Sequence, residues 1–222
     1  MNSAFREGRA KSSLLVVLTL AACSNGTVPA ESMPVRASAQ SAFAQHPDSA
    51  LRAELIALGE DDQAVRAGLT PETFQDTAFV ARIERTDSAR SRRLQEIIEA
   101  HGWPAAARVG VEAVRAAFLI VQHTPFPALR ETALPYVERD VRAGILDAMD
   151  YAGMVDRIRL ERGEPQLYGS SYSLVDGVLV RDPVEDPGNL DRRRAELGLM
   201  PIAEYERMLA DFYDAEVRSD RP

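Results

Sequence analysis

VEAVRAAFLIVQH, residues 111–123, decides the fold. Only Glu112 and Arg115 break its apolar run before Gln122, and a helix apolar nearly all round has no face to give to water. It belongs at the centre of a helical bundle, so the flanking segments are expected to be the helices that cover it. Upstream, His101-Gly102-Trp103-Pro104 combines glycine and proline in a helix stop. Downstream, Thr124-Pro125-Phe126-Pro127 forces extended backbone before the next helix can start.

Working outward, a fifth helix is expected from Pro127 to Ala143, with Pro135 as the place where it would kink. A sixth, about 146–161, places Met149, Ala152, Val155 and Ile158 on its buried side. Three helices precede the central one. Asp48 or Ser49 caps a segment carrying Leu51, Leu55 and Leu58; Thr70-Pro71-Glu72 is a start signal for the second; the third, about 87–100, carries Leu94, Ile97 and Ile98. After Gly163 the period changes. Residues 166–175 and 178–184 flank Asp176-Gly177, two residues tolerant of positive φ and therefore a hairpin signal. Short helices at about 189–197 and 201–215 close the chain. The expected fold is mainly α, a multi-helix bundle with one small β-hairpin near the C-terminal third, in a single domain over residues 48–218.

Composition agrees with one globular domain. The chain has 222 residues, 45% hydrophobic and 27% charged, with 13 Gly and 13 Pro, which excludes wholesale disorder and collagenous or low-complexity structure. The formal net charge is −8, and the first 22 residues are net basic through Arg6, Arg9 and Lys11 against Glu7, so the remainder sits near −10. A nucleic-acid role is disfavoured, because phosphate binding needs a concentrated basic face and the only dense cluster is Arg192-Arg193-Arg194 behind Asp191. Lys11 is the one lysine, so every cation of the folded part other than a protonated histidine is a guanidinium suited to forked pairing with carboxylates.

The N-terminus carries an address. Leu14 to Ala22 form a nine-residue apolar run, LLVVLTLAA, too short for the ~20 residues a spanning helix needs, and it ends at Cys23. Leu20-Ala21-Ala22-Cys23 resembles the lipobox of bacterial lipoproteins, which implies a signal peptide at 1–22 and a lipidated Cys23 carrying acyl chains such as palmitate. The same resemblance implies, through Ser24, sorting to the periplasmic face of the outer membrane if the host is Gram-negative. The alternative is an ordinary secreted protein cut after Val28-Pro29-Ala30, with Cys23 discarded. Either way no free thiol remains, which removes disulfides, thiolate catalysis and cysteine-ligated metals. From Ser24 to Pro47 the chain is rich in Ser, Ala, Pro and Gln and reads as a tether, so 23–47 is attachment cysteine plus linker. As a flexible coil it would span ~27 Å.

The order and spacing of several short motifs resemble a family of bacterial domains of unknown function. They are Gly102-Trp103-Pro104, Gln122-His123, Asp156-Arg157, Gln166-Leu167-Tyr168-Gly169, and Arg194 followed by Gly198-Leu199, Pro201 and Glu204-Tyr205. Asp62-Gln63 with Arg66 extends the match forward, so it covers most of residues 48–210. The resemblance implies fold and boundaries and brings no known substrate.

Candidate site residues follow from their positions. His123 ends the central helix, where the dipole favours an imidazolium, so it could serve as general base or acid; alternatively it caps helix carbonyls while Gln122 ties down the turn. Asp156 lies beside the run Ala152-Gly153-Met154-Val155, where a charge needs a partner. It could orient His123 as the second catalytic residue, bind a ligand cation, or form a buried ion pair, with Arg194 as a candidate partner. Arg157 could grip a carboxylate or phosphate bidentately. Gln166 and Tyr168, on one face of the first hairpin strand, could contact a polar ligand; alternatively Tyr168 packs on the bundle and Gly169 marks a bulge. Trp103 is expected in the core. Three scattered histidines without metal-ligand spacing give no metal site, and no cofactor is expected. The reading this supports is a lipid-anchored envelope protein acting as a ligand-binding or interaction module for a small molecule or envelope protein, with Gln122, Arg157, Gln166, Tyr168 and Arg194 as ligand-binding candidates. The alternative is an envelope hydrolase using His123 as general base oriented by Asp156, and a third reading is a purely structural lipoprotein.

Overall fold

The computed structural model describes residues 47–70 and 73–219; the expected signal peptide, Cys23 and the tether through residue 46 lie outside the described residues, as do Pro71 and Glu72. Within them the chain is mainly α. Helix α1 (Ser49–Arg66) begins where the Asp48 carboxylate accepts a hydrogen bond from the Leu51 N–H. After a 3-10 turn (Thr73–Gln75) comes α2 (Thr77–His101), capped by Asp76, whose side chain accepts from the N–H groups of Ala78 and Phe79. The second and third expected helices are thus one. Asp87 does not start a helix: it is buried inside α2 and bonded to Arg66 and Arg90, so it has no need to cap. Helix α2 stops at Gly102, whose φ of 75° suits glycine.

A short helix α3 (Ala106–Val109) leads into α4 (Val111–His123). Helix α4 is the central element: Ala113, Val114, Ala116, Ala117, Phe118, Ile120 and Val121 are all buried. Its alanines let neighbours come close. At Gly59 of α1, an added Cβ would lie 2.7 Å from the Ala116 Cβ, so the two helices meet backbone to backbone. On its other sides lie α2, α3 and α5 (Pro127–Arg142), and α5 packs in turn on α6 (Ala148–Glu161). Leu55, Leu94, Ile97, Val121, Leu129, Val137 and Ile158 join them in one apolar core. Each such side chain contributes ~1.5–3 kcal/mol through the water it leaves. Pro135 lies within α5, which runs unbroken. Trp103 is buried as expected, donating from Nε1 to Asp140 at 2.9 Å and stacking on Tyr136.

The buried side of α6 carries Ala152, Gly153, Met154, Asp156 and Ile158, so Met154 rather than Val155 fills the core, and Met149 is half-buried. Strands β1 (Tyr172–Val175) and β2 (Val178–Arg181) pair antiparallel around Asp176 and Gly177, both at positive φ, as the turn signal required. The strands are shorter than the sequence suggests: Gln166 to Gly169 form a loop rather than strand, with Gln166 in a single bridge to Val184. After a 3-10 turn (Pro187–Asn189), helices α7 (Leu190–Glu196) and α8 (Ile202–Tyr213) follow. An unanticipated strand, β3 (Val217–Arg218), adds parallel to β2 and makes the hairpin a three-stranded sheet. Tyr172, Leu179, Tyr205 and Leu209 form a second, smaller core between sheet and α8.

Candidate functional site

Asp156 is fully buried on α6, and all its bonds go to one loop. Its Oδ1 accepts from the N–H groups of Leu167 (2.6 Å) and Tyr168 (2.9 Å), and its Oδ2 from the N–H (2.9 Å) and hydroxyl (2.8 Å) of Ser170. Burial raises its carboxyl pKa even against these four bonds. Neither His123 nor Arg194 is bonded to it, so the structure forms neither the expected orienting pair nor the expected ion pair. The charge is stabilised by backbone donors of a chain segment that must turn sharply, and no cation is required.

The other hairpin-side candidates belong to the same clamp. Arg194, also fully buried, donates from Nε to the Met200 carbonyl and from Nη1 to the Tyr168 carbonyl, each at 2.7 Å, with its guanidinium 5.0 Å above the Tyr205 ring. Gln166 donates to the carbonyls of Ser171 and Asp182 and accepts from the Ser171 N–H. Tyr168 packs tilted on Tyr151. Asp156, Gln166, Tyr168 and Arg194 therefore come together, with the side chains of Asp156, Gln166 and Arg194 and the backbone of Tyr168 bonded within the protein.

His123 meets a different carboxylate. Its Nδ1 lies 2.9 Å from Oδ2 of Asp62, on α1, whose side chain is 1% exposed. Asp62 is held in place by further donors: Gln63 at 2.9 Å on the same oxygen and Arg66 at 2.7 Å on the other, with Arg90 3.5 Å away. Arg66 also reaches Asp87, and Arg90 bridges Asp87 and Asp61, tying α1 to α2. Burial alone would raise the Asp62 carboxyl, but the hydrogen bond and charge of His123 and the charges of Arg66 and Arg90 outweigh it and hold the pKa below the ordinary value. The imidazole is 20% exposed, and among the described residues its Nε2 has no hydrogen-bond partner. A carboxylate on one ring nitrogen and an open second nitrogen is an arrangement able to move a proton.

On the other side of α4, a small recess, part of it open to solvent, is lined by Phe118, Gln122, Arg130, Asp150, Gly153, Met154 and Arg157. Two candidates named from sequence, Gln122 and Arg157, are thus brought together, and Arg157 Nη1 donates to the Gln122 carbonyl at 2.8 Å. Arg130 of α5, 1% exposed, shares Glu161 with Arg157: Arg130 Nη1 approaches both Glu161 oxygens at 2.7 and 2.6 Å, and Arg157 Nε one of them at 3.2 Å. Two guanidiniums thus face one carboxylate, and Arg130 Nε is buried with no partner among the described residues. Burial and the like charge of Arg157 push the Arg130 pKa down to about 10, so it remains a cation at neutral pH. At the other end Asp150, whose carboxylate accepts from the Asp147 N–H in a capping box, has its pKa pushed up by burial to about 6.

Sequence reasoning missed Arg130, Asp150, Asp87 and Arg90, and gave Asp62 and Arg66 only a motif match with no role. Asp62 and His123 stand 61 residues apart, and no local pattern links them. Among the described residues, no group of three or more His, Cys, Asp or Glu side chains could hold a metal ion, and no helix is long and apolar enough to cross a membrane. In comparisons with known proteins, the model of a family of unknown function, DUF6624, matches residues 47–218. No curated protein and no solved structure matches.

Proposed function

We propose, for a chain that belongs to the DUF6624 family of unknown function, a role as a lipid-anchored protein of the bacterial envelope that binds a small carboxylate-bearing ligand between α4, α5 and α6. One observation carries the ligand class: Arg130 and Arg157 share the single carboxylate of Glu161 at a cleft. A guanidinium pair with one counter-charge between them favours a second anion, and Arg is suited to carboxylates. Phe118, Gly153 and Met154 give the wall an apolar part, which suits a hydrocarbon body behind the charged group, with Asp150 at its other end. The anchor rests on Leu20-Ala21-Ala22-Cys23 and on the linker that follows.

The test is a thermal melt of the purified protein with acetate, butyrate, hexanoate or phosphate, alongside Arg157→Ala. At a hundredfold excess over Kd, binding stabilises by ~2.7 kcal/mol, about 5–10 °C for a domain of this size. A carboxylate-dependent rise in the wild type that Arg157→Ala abolishes is the expected result. No rise with any acid, or an equal rise in the variant, defeats the assignment. The anchor is tested separately: Cys23→Ser is expected to leave the membrane fraction and lose its acyl label, and unchanged partitioning would refute it.

A further inference from the structure

We infer that His123 is a general base for hydrolysis, with Nε2 as the reacting atom, on the side of α4 that faces α1 and α2 rather than at the carboxylate cleft. The dyad is His123 with Asp62, which replaces Asp156 in the role of orienting carboxylate. Asp62 accepts at Nδ1, fixing the tautomer in which Nδ1 carries hydrogen and Nε2 carries the lone pair. Arg66, Arg90 and Gln63 prevent the carboxylate from turning away. They and Asp62 are positioning residues, since none carries the reacting atom.

The ionic network behind the dyad favours this role. Asp62 and Arg66 from α1 and Asp87 and Arg90 from α2 are largely buried, two carboxylates against two guanidiniums, while the exposed Asp61 bonds Arg90 from the rim. Charges held this far from water act on one another at short range with little screening. Burying four charges is not how a bundle is most cheaply stabilised, because desolvation offsets most of what ion pairing returns. An exposed ring nitrogen at the edge of such a network is a reason to keep it.

The step proceeds as follows with an activated ester. A water O–H bond breaks as its proton passes to Nε2, and the water oxygen forms a bond to the acyl carbon. The bond to the leaving oxygen breaks, and the aryl oxide departs with the electron pair. The imidazolium then returns its proton to solvent.

The experiment uses p-nitrophenyl acetate with the full-length protein as wild type, His123→Gln, Asp62→Asn and the control His101→Gln. General-base catalysis contributes typically 10²–10⁴-fold. The wild-type rate is therefore expected to exceed that of His123→Gln by at least about tenfold. It should rise with pH along a single titration that His123→Gln lacks, and added imidazole should partly restore that variant. Asp62→Asn should keep the titration but move its midpoint and lower its plateau, which a purely structural carboxylate would not do in a variant of unchanged circular dichroism. Equal rates for wild type and His123→Gln overturn the inference, as does a loss that follows His101→Gln. Should His123→Gln not fold, diethyl pyrocarbonate on the wild type decides. Hydrolysis lost in step with modification of His123 supports the assignment, and hydrolysis that persists after His123 is modified refutes it. A melt shift with carboxylates is indifferent to all these outcomes, so the two assignments stand or fall separately.

Discussion

Replacing Asp156 by alanine is expected to lower the melting temperature by about 10–20 °C. The side chain is fully buried and accepts three backbone N–H groups and one hydroxyl. Alanine leaves those donors without an acceptor in a partly buried loop, and each unsatisfied buried group costs ~1–3 kcal/mol. Three backbone donors at ~1.5–2 kcal/mol each give ~4–6 kcal/mol. At ~2–4 °C per kcal/mol for a chain of this length, the shift is large. Asp156→Asn separates charge from geometry: its oxygen can still serve Leu167 and Tyr168, but its amide then faces the Ser170 N–H, donor against donor. It should fall between wild type and alanine. The measurement is thermal unfolding followed by far-UV circular dichroism, with hydrogen exchange of the amides of residues 167, 168 and 170 as the local readout. A variant melting within about 3 °C of wild type with those amides still protected would show that the loop holds itself, and the clamp described here would be wrong.

Three further outcomes follow from the same geometry. The folded-state pKa of Asp150, about 6, lies above its ordinary 3.8, so the native state binds that proton more tightly and its contribution to stability falls as pH rises from about 4 through 6. Asp150→Asn, which keeps an acceptor for the Asp147 N–H, should flatten that interval and stabilise the protein at pH 7 by up to ~2–3 kcal/mol; denaturant midpoints across the interval measure it. Asp62 has the opposite sign, since its folded pKa is held below the ordinary value: its stabilisation is present above about pH 4 and is lost on acidification. Asp62→Asn should therefore lose stability at pH 7 and narrow its gap to wild type toward pH 2, as acid titrations would record. Gly59→Ala places a methyl 2.7 Å from the Ala116 Cβ and should cost ~1–3 kcal/mol, and adding Ala116→Gly should recover part of it; simple additivity in that double-mutant cycle would refute the contact.

The bundle was legible because its signals are local. The apolar run of α4, the Gly102-Trp103-Pro104 stop and the Asp176-Gly177 turn each act within a few residues, and each falls where it was placed. Errors arose where distant partners decide. Asp87 looks like a helix start until Arg66, 21 residues earlier, is seen to bond it. The two residues of β3 carry too little pattern to announce a strand, and only pairing with Leu179 and Val180 makes them one. The site was legible as a set of residue types and not as a set of pairs. Gln122 and Arg157 do meet at one cleft, but His123 and Asp156 went to partners that nothing along the chain connects.

The absence of lysine between residues 47 and 219 has a consequence at high pH. Surface ion pairs in most proteins loosen near pH 10 to 11, as ammonium groups release their protons. A guanidinium does not do so until well above 12. The pairs that join α1 to α2 and α6 to the loops beyond it are all built on guanidiniums, and in Arg90 the hydrogen bonds and charges of its carboxylate partners outweigh burial and raise the pKa further. Burial also delays the phenols of Tyr172, Tyr205 and Tyr213, so few new negative charges appear. The domain should carry its ionic framework nearly unchanged into alkali, and caustic conditions that dissolve the electrostatics of a lysine-rich bundle should leave this one standing.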